Sequence, residues 1–309
     1  MCSMIFCGFK PFFLNTGNVN LIRTRLYSSS PGKISKKIGF IGDGSMAKAI
    51  CKSIQGRGLI DYSQTYVSSP YIKNLDSWKK LGSNVTTDNA VVASEADLII
   101  LAVKPHMLKE AIDTMSKSSL QSKIKNKLFM SILAGLTTKH LEYMLCRFEG
   151  SRVVRVMPNT PMLVGEGCTV YCAGSTATED DLTLVHKILE VTGVCEKVPE
   201  RMINAIGAVS SSGPAFVYLF IEALSDGGVK MGLHRKMATE FAAQTVMGSA
   251  KMVLETQKHM GTLKDEVCSA GGQTIAGIHA LERGGVRGAV MDAVEATALR
   301  AFELGEENK

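Results

Sequence analysis

The sequence predicts an α/β protein in two parts, a doubly wound sheet followed by an all-helical region. Strand-like and helix-like segments alternate from about residue 37 to residue 200, the pattern of a parallel sheet with helices on both faces. A glycine-rich turn joins the first strand to the first helix. After Pro199 the strand pattern ends and apolar residues recur at helical spacing. We therefore divide the chain into residues 1–35, 36–199 and 200–309.

The composition is that of a globular protein. Apolar residues make up 45% of the 309 residues and charged residues 21%, a balance that disordered chains lack. The longest dense apolar run, residues 96–103, is too short to cross a bilayer, so we expect no membrane association. Eight cysteines are too sparse for a secreted disulfide scaffold. Cys168 and Cys172 have no further ligand at metal-binding spacing, so no metal site is predicted.

Residues 1–35 differ from the rest in charge, since they contain basic but no acidic side chains. Lys10, Arg23 and Arg25 supply three of the six net positive charges, so the remainder gives no reason to expect a nucleic-acid partner. An acid-poor segment with arginine and serine is typical of an organelle transit peptide. We expect it to direct the protein to the mitochondrial matrix, with processing after Tyr27. A solvated tail on a cytoplasmic protein is the alternative.

The second segment begins like a dinucleotide-binding unit. A buried strand over residues 37–42 runs into the pattern G-x-G-x-x-A, with Gly42, Gly44 and Ala47, which opens a helix. Gly42 permits a tight turn, Gly44 lets the backbone approach a pyrophosphate, and Ala47 lets the helix pack close to the sheet. The phosphates would face free N–H groups at the helix N-terminus. This pattern predicts a Rossmann-like domain, and an ordinary glycine-rich turn is the alternative.

The end of the second strand bears on the choice of cofactor. This strand, expected over residues 64–69, ends in Ser69 and Pro70 instead of the Asp or Glu that binds an NAD ribose. No carboxylate stands there to repel a 2′-phosphate, and Lys73 follows. The sequence therefore favours NADPH, with NADH as the alternative.

The later strands place further candidates at the carboxyl edge of the sheet, where parallel sheets bind ligands. Lys104 follows one strand and would meet a phosphate or the nicotinamide end, unless it is a plain surface lysine. Ala134 follows the next strand. We expect a helix over residues 72–81, strands over residues 96–103, 128–133, 152–157 and 169–172, and a last strand before Pro199.

The region after Pro199 predicts helices with more apolar surface than it can bury alone. Ser212 or Gly213 would cap one helix, with Pro214 in its first turn, and residues 235–256 form another. One face of the first helix carries Phe216, Leu219, Phe220, Ala223 and Leu224, and the inward candidates on the second are Met237, Phe241, Thr245 and Met252. We infer a homodimer with interlocking helices. A compact monomeric bundle is the alternative.

A turn near the C-terminus predicts a site for a small carboxylate. Gly271 and Gly272 leave backbone N–H groups exposed at the start of a helix, and Ser269 and Thr274 add hydroxyls. That helix would point Ile275, Ile278 and Leu281 inward and end at Gly284 and Gly285. A capped helix in a bundle is the alternative.

Taken together, these motifs resemble those of the pyrroline-5-carboxylate reductase family, over residues 37 to 303. The matching stretches are residues 39–44, 102–106, 157–161, 212–215, 226–232 and 269–274. The resemblance implies reduction of Δ1-pyrroline-5-carboxylate to L-proline with NADPH or NADH, the last step of proline biosynthesis. It also implies dimers that associate into a decamer.

The resemblance further implies roles for individual residues. Thr274 would hydrogen-bond the ring nitrogen of the substrate and is the candidate catalytic residue. The residues implied in substrate binding are Glu200, Ser269, Gly271, Gly272, Gln273 and Thr274. The residues implied in cofactor binding are Ile41, Gly42, Asp43, Gly44, Ser45, Met46, Ser69, Asn89, Ala102, Val103, Lys104, Pro105 and Ala134.

The chain departs from the family pattern at two positions. Ala270 stands where the family commonly has proline, which loosens the turn. Glu266 stands where asparagine is frequent, and because an acid would weaken binding of NADP phosphates, we do not expect it to contact the cofactor.

Two other functions share this layout. A β-hydroxyacid dehydrogenase-like oxidoreductase needs a catalytic lysine, and neither Lys230 nor Lys236 lies in a matching motif. A non-catalytic NADP-sensing protein has no need for a carboxylate site.

Overall fold

The computed structural model describes residues 32–307. Within this range eight strands form one sheet in the order β3-β2-β1-β4-β5-β6-β7-β8. Strands β1 to β6 are parallel, β7 is antiparallel to β6, and β8 is parallel to β7. The strands are β1 Ile38–Ile41, β2 Thr65–Ser68, β3 Asn84–Thr86, β4 Leu98–Leu101, β5 Leu128–Ser131, β6 Arg152–Met157, β7 Gly167–Ala173 and β8 Gly193–Lys197. The predicted doubly wound α/β sheet is therefore confirmed.

Helices cover both faces of this sheet, which is why its inner strands are apolar on both sides. They are α1 Ser45–Gly56, α2 Ile72–Leu81, α3 Asn89–Glu95, α4 Leu108–Lys117, α5 Thr138–Leu145 and α6 Glu179–Glu190. Phe40 points into the core beneath α1, α2 and α6, whereas its neighbour Ile41 points into the core beneath α3, α4 and α5. Both cores are fully buried, so the sheet is a rigid base for the loops at its edges.

The folded part begins before residue 36, the predicted start of the domain. The backbone N–H of Ile34 donates to the carbonyl of Leu59 at 2.7 Å, and the Ile34 side chain is buried against the first core. Burial of this apolar side chain against the core stabilises the folded state, so the ordered chain includes Ile34. The transit-peptide prediction, with its site after Tyr27, falls mainly on residues outside the described range.

Six helices follow the sheet in the described residues: α7 Ile203–Ser210, α8 Gly213–Lys230, α9 Arg235–Thr256, α10 Met260–Val267, α11 Gln273–Arg283 and α12 Val286–Glu307. Helix α7 attaches this helical region to the sheet, because its fully buried Ile203 packs with Met157 and Val170. Helices α8 and α9 pack as a pair, with Ala238 and Ala242 buried between them. The predicted all-helical second part is thus confirmed.

The apolar faces predicted on these helices are largely exposed in the single chain. Leu219 is 68% exposed, Phe241 61% and Leu281 44%. Apolar faces of this size are normally covered, and the described residues of one chain do not cover them. The inward positions expected within one chain, such as Phe241 and Leu281, are therefore corrected, whereas the exposed faces agree with the inferred homodimer and not with a compact monomeric bundle.

Two smaller expectations also change. Ser212 precedes α8, but its side chain makes no capping hydrogen bond, because its backbone is already helical and the hydroxyl does not reach the next N–H groups. Within the described residues, the helical stretch Glu200–Lys230 is long and apolar enough by composition to cross a membrane, and 17% of its most apolar part is buried. This stretch was not predicted, because only dense apolar runs such as residues 96–103 were considered in the sequence. A helix covered by a partner subunit has the same composition.

Candidate active site

The turn after β1 is pressed against the end of β4. Gly42 has a φ of +108°, and a Cβ atom there would lie 2.6 Å from the carbonyl oxygen of Ala102. The N–H of Ala102 donates to the carbonyl of Ile41 at 2.9 Å, and the N–H of Gly42 donates to that of Ser68 at 3.0 Å. This position therefore requires glycine both for its backbone angle and for the close approach. The structure brings these predicted cofactor residues together at the point where the strand order reverses.

The N-terminus of α1 is open to a ligand. Gly44 is its N-cap, no side chain caps it, and its first turn carries no acidic residue. A Cβ atom on Gly44 would have no neighbour nearer than the Ala102 carbonyl oxygen, at 4.0 Å. Uncapped N–H groups beside open space are suited to a pyrophosphate, and Asp43, Ser45 and Met46 lie at the same turn. The residues present thus fit a dinucleotide.

A cavity of about 260 Å³ continues from this turn between the ends of β1, β2 and β4. Gly42, Asn89 and Val103 line it, together with Pro70 and Glu110. It is the expected place for the adenosine half of a dinucleotide, beside the carboxyl ends of parallel strands.

The side chain of Asn89 is held in one orientation. Ser68 Oγ donates to Asn89 Oδ1 at 2.7 Å, and Asn89 Nδ2 donates to Thr114 Oγ1 at 3.2 Å. Both partners belong to the wall of the cavity. A preorganised amide of this kind loses little entropy when it binds a ligand.

Ser69 is buried and lies in the chain between two residues that line this cavity, Ser68 and Pro70. Its Oγ accepts a hydrogen bond from the backbone N–H of Tyr71 at 3.2 Å, which leaves the hydroxyl proton free to be donated. A 2′-phosphate is an acceptor of such a bond.

We expect Ser69→Glu to lower the ratio of kcat/KM with NADPH to kcat/KM with NADH by about 10-fold, because a carboxylate at this edge would repel a 2′-phosphate by about 1.4 kcal/mol or more. Steady-state kinetics with both cofactors measure the ratio. Ser77→Glu, on the exposed face of α2, is the matched control. An unaltered ratio in Ser69→Glu would contradict the assignment.

The nicotinamide end is expected at the neighbouring ends of β4 and β5. Lys104 and Ala134 follow these paired strands and are both exposed there, with Pro105 beginning a single turn of 3-10 helix. Their exposure on one edge agrees with the predicted cofactor contacts, and residues 32–307 of the same chain leave them uncovered.

The turn before α11 is built around two glycines. Gly271 has a φ of +66°, and a Cβ atom on Gly272 would collide with Ser269 Oγ. The N–H of Gly272 closes the turn by donating to the Ser269 carbonyl at 3.1 Å. No side chain caps α11, and its first turn carries no acid, so the N–H groups at Gln273 and Thr274 face outward. This geometry is suited to a carboxylate.

This turn is not packed against the sheet of its own chain. Ser269, Gly271 and Gln273 are exposed, and α11 makes its main contacts with α12. The structure therefore does not join the predicted substrate residues of this turn to the predicted cofactor residues within the described part of one chain. Glu266, which precedes the turn, forms an ion pair with Lys258 at 2.6 Å, which partly neutralises its charge.

Glu200 occupies an environment that the sequence did not predict. Its Oε1 accepts from the backbone N–H of Thr138 at 2.7 Å and from Arg155 Nη1 at 3.1 Å, and its Oε2 accepts from Thr138 Oγ1 at 2.7 Å. Sequence reasoning missed Arg155 and Thr138. The signal for the first was an arginine in the middle of strand β6, flanked on both sides by valine.

Cysteine chemistry finds no support beside Glu200. Burial, reinforced by the negative charge of Glu200, raises the pKa of Cys172 to about 12, so the group is a thiol at neutral pH. Among residues 32–307, no group of three His, Cys, Asp or Glu side chains is placed to hold a metal ion.

Comparison with family models matches the two parts of the chain separately. Residues 200–304 match the model described as pyrroline-5-carboxylate reductase dimerisation. Residues 37–135 match the model described as NADP oxidoreductase, coenzyme F420-dependent.

Individual proteins match over most of the chain. Pyrroline-5-carboxylate reductase 3 of Danio rerio is 42% identical over 91% of this chain and 96% of that protein. Pyrroline-5-carboxylate reductase of Arabidopsis thaliana is 42% identical over 88% of this chain and 96% of that protein. The crystal structure of Plasmodium falciparum pyrroline carboxylate reductase with NADP bound has a TM-score of 0.80 and 34% identity, covering 89% of this chain and all of that one.

Proposed function

Since this chain belongs to the pyrroline-5-carboxylate reductase family, we propose which of its residues carry out the reaction of that family. The chain is an NADPH-dependent oxidoreductase that reduces the C=N bond of Δ1-pyrroline-5-carboxylate to give L-proline. The structural observation that supports the residue assignment is the pair of uncapped helix N-termini, one at Gly44 and one at Gly272. The first is suited to a pyrophosphate and the second to a small carboxylate.

The first of these N-termini begins the proposed cofactor site. Residues 41–46 would hold the pyrophosphate, Ser69 the 2′-phosphate, and the loops at Lys104 and Ala134 the nicotinamide end. NADPH, when bound, supplies the hydride. The protein contributes orientation, and because both loops follow buried strands, they are fixed by the core of the sheet.

The second N-terminus begins the proposed substrate site. Ser269, Gly271 and Gly272 would hold the carboxylate of the substrate, and Thr274 would hydrogen-bond its ring nitrogen. A protonated cyclic imine accepts hydride readily, so the site needs no metal and no strong acid. Catalysis then comes mainly from fixing the imine carbon in front of the nicotinamide.

We further propose that each complete site combines two subunits. The chain forms a homo-oligomer, as its match to a dimerisation model indicates. The substrate turn is exposed and remote from its own sheet in the contacts of one chain, so the turn of one subunit would face the cofactor edge of the other. Further association into a decamer is part of this proposal. Light scattering coupled to size-exclusion chromatography tests both, and a monomer that retains full activity would refute the shared site.

The cellular location proposed is the mitochondrial matrix. The support is the acid-free, Arg- and Ser-containing composition of residues 1–35. A fusion of these residues to a fluorescent protein should accumulate in mitochondria, whereas the same fusion with Arg23→Glu and Arg25→Glu should not. Diffuse cytoplasmic fluorescence of the unmodified fusion would count against this location.

The activity itself is tested by one assay. The purified protein should oxidise NADPH, followed by its absorbance, when Δ1-pyrroline-5-carboxylate is added, and should not reduce NADP with a β-hydroxyacid. The reverse pattern would favour a β-hydroxyacid dehydrogenase. Binding of NADPH without turnover of either substrate would favour a sensor.

We expect Thr274→Ala to lower kcat with Δ1-pyrroline-5-carboxylate by about 10²-fold, because the ring nitrogen would lose the hydroxyl that orients it and exchanges a proton with it. The Kd for NADPH should not change, since Thr274 lies in the helical region. Thr274→Ser, which keeps the hydroxyl, is the control and should retain most activity. Unchanged steady-state kinetics in Thr274→Ala would refute this role.

A further inference from the structure

One carboxylate joins the sheet, helix α5 and the helical region. Glu200 lies in a single 3-10 turn, Glu200–Met202, between β8 and α7. It accepts three hydrogen bonds from Thr138 and Arg155, and Arg155 Nη2 reaches on to Asn204 Oδ1 at 2.8 Å. We call these four residues the junction cluster. It uses three of the roughly four acceptor positions of the carboxylate.

Joining the sheet to the helical region through this cluster costs free energy, because the charge of Arg155 is removed from water. Arg155 is 2% exposed within β6, and its Nε is buried without a hydrogen-bond partner among the described residues. Buried ion pairs generally stabilise a fold no more than well-packed apolar side chains would, and their best-supported benefit is to fix one arrangement over others. The benefit of this cluster is therefore expected to be a fixed position of the sheet relative to the helical region.

The cluster holds the end of a loop that is expected to face the cofactor. The loop of residues 132–137 connects β5 to α5 and contains Ala134. Thr138 is the first residue of α5, and Glu200 binds both its N–H and its hydroxyl. The carboxylate thus anchors this loop from the side of the helical region.

A second contact reaches the same loop from the opposite end of the helical region. Gly305, near the end of α12, lies so close to Gly135 that a Cβ atom on Gly305 would be 2.6 Å from the Gly135 carbonyl oxygen. The turn before α7 therefore contacts the residue that ends the six-residue loop after β5, and the end of α12 contacts the loop itself.

We propose that Glu200, besides the substrate contact that the family resemblance implies, is a positioning residue for hydride transfer. Through Thr138 and Arg155 it fixes the loop of residues 132–137, and with it the nicotinamide end of the cofactor, relative to the helical region of its own chain. Because that region matches the dimerisation model, it would in turn fix the loop relative to the substrate turn of the other subunit. This inference deepens the proposed function and depends on it. A shift of about 1 Å between reacting groups can cost on the order of 10²-fold in rate, so loss of the cluster should affect turnover more than cofactor affinity.

The experiment compares Glu200→Gln and Arg155→Met with a matched control on the same strand. Arg152→Met removes another partly buried ion pair, in which Arg152 binds Asp181 at 2.7 and 3.1 Å, but which does not touch the loop. For each variant we would measure kcat, KM, the Kd for NADPH, the kinetic isotope effect with deuterated NADPH and the melting temperature. Amide hydrogen exchange of residues 132–137 is measured without cofactor.

Both cluster variants should lower kcat by on the order of 10²-fold, raise the isotope effect and accelerate exchange in the loop, with little change in the Kd for NADPH. Arg155→Lys, which keeps the charge, should recover part of kcat. Arg152→Met should lower the melting temperature without these effects. If Arg155→Met does not fold, Thr138→Val decides, because it removes one hydrogen bond and leaves the ion pair intact.

Two results would overturn the proposal. One is a lower melting temperature in the cluster variants with kcat, isotope effect and loop exchange like those of Arg152→Met. The other is loop exchange unchanged in Glu200→Gln. A wild-type protein that does not reduce Δ1-pyrroline-5-carboxylate would instead refute the proposed function, and the exchange comparison would still test the cluster.

Discussion

Gly272→Ala is expected to raise the KM for Δ1-pyrroline-5-carboxylate by on the order of 10²-fold, equivalent to about 2.8 kcal/mol of lost binding. The added methyl group would collide with Ser269 Oγ, so the turn before α11 must open or the serine must move away. Either change removes a donor from the proposed carboxylate site. The Kd for NADPH should stay as in the wild type, because the cofactor site lies on the sheet.

The chain provides a close control for this substitution. Gly277 lies about one turn into the same helix, and a Cβ atom there would meet nothing within 4 Å. Gly277→Ala should leave KM unchanged and stabilise α11 by roughly 1 kcal/mol, the difference in helix propensity. If both variants showed the same KM as the wild type, the substrate would not bind at this turn.

Local patterns predicted most of the sheet and several helices. The bounds of α2 and α9 agree with those expected from the sequence. For α2 the apolar spacing is regular and Gly82, in a left-handed conformation, gives a clear end signal, whereas Gln257 ends α9 in the same conformation without being a glycine. The resemblance implied that Gly42 and Ala102 belong to one cofactor site, and the structure brings them together because β1 and β4 are parallel neighbours that end at the same edge. Helix α12 was not predicted in detail, since alanine and glycine dilute its apolar periodicity.

Contacts between distant residues could not be predicted in this way. Glu200 and Thr138 are 62 positions apart, and no periodicity links a 3-10 turn to the first residue of α5. The exposed faces of α8 and α9 show a different limit. Spacing identified the apolar positions correctly, but it cannot tell whether their partner is another helix of the same chain or a second subunit. Which surface covers these apolar faces is decided by tertiary and quaternary structure, not by local spacing.

The cofactor site contains two glycines that are required for different reasons, open space for a ligand at one and backbone conformation at the other. Gly44 has a φ of −64°, which any residue can adopt, and open space where a side chain would be. Gly42 has both a positive φ and the Ala102 carbonyl against it. The two glycines of one motif should therefore respond differently to substitution.

Gly44→Val is expected to weaken NADPH binding by on the order of 10²-fold, about 2.8 kcal/mol, because its side chain would fill the space proposed for the pyrophosphate. The apoprotein should lose no more than about 1 kcal/mol of stability, the cost of a poorer N-cap. Gly42→Ala, in contrast, should lower the melting temperature of the apoprotein as well, since the fold itself requires the glycine. Fluorescence titration with NADPH and thermal denaturation measure the two effects. Tight NADPH binding by Gly44→Val would place the dinucleotide elsewhere, and a destabilised apoprotein in both variants would mean that the motif serves packing alone.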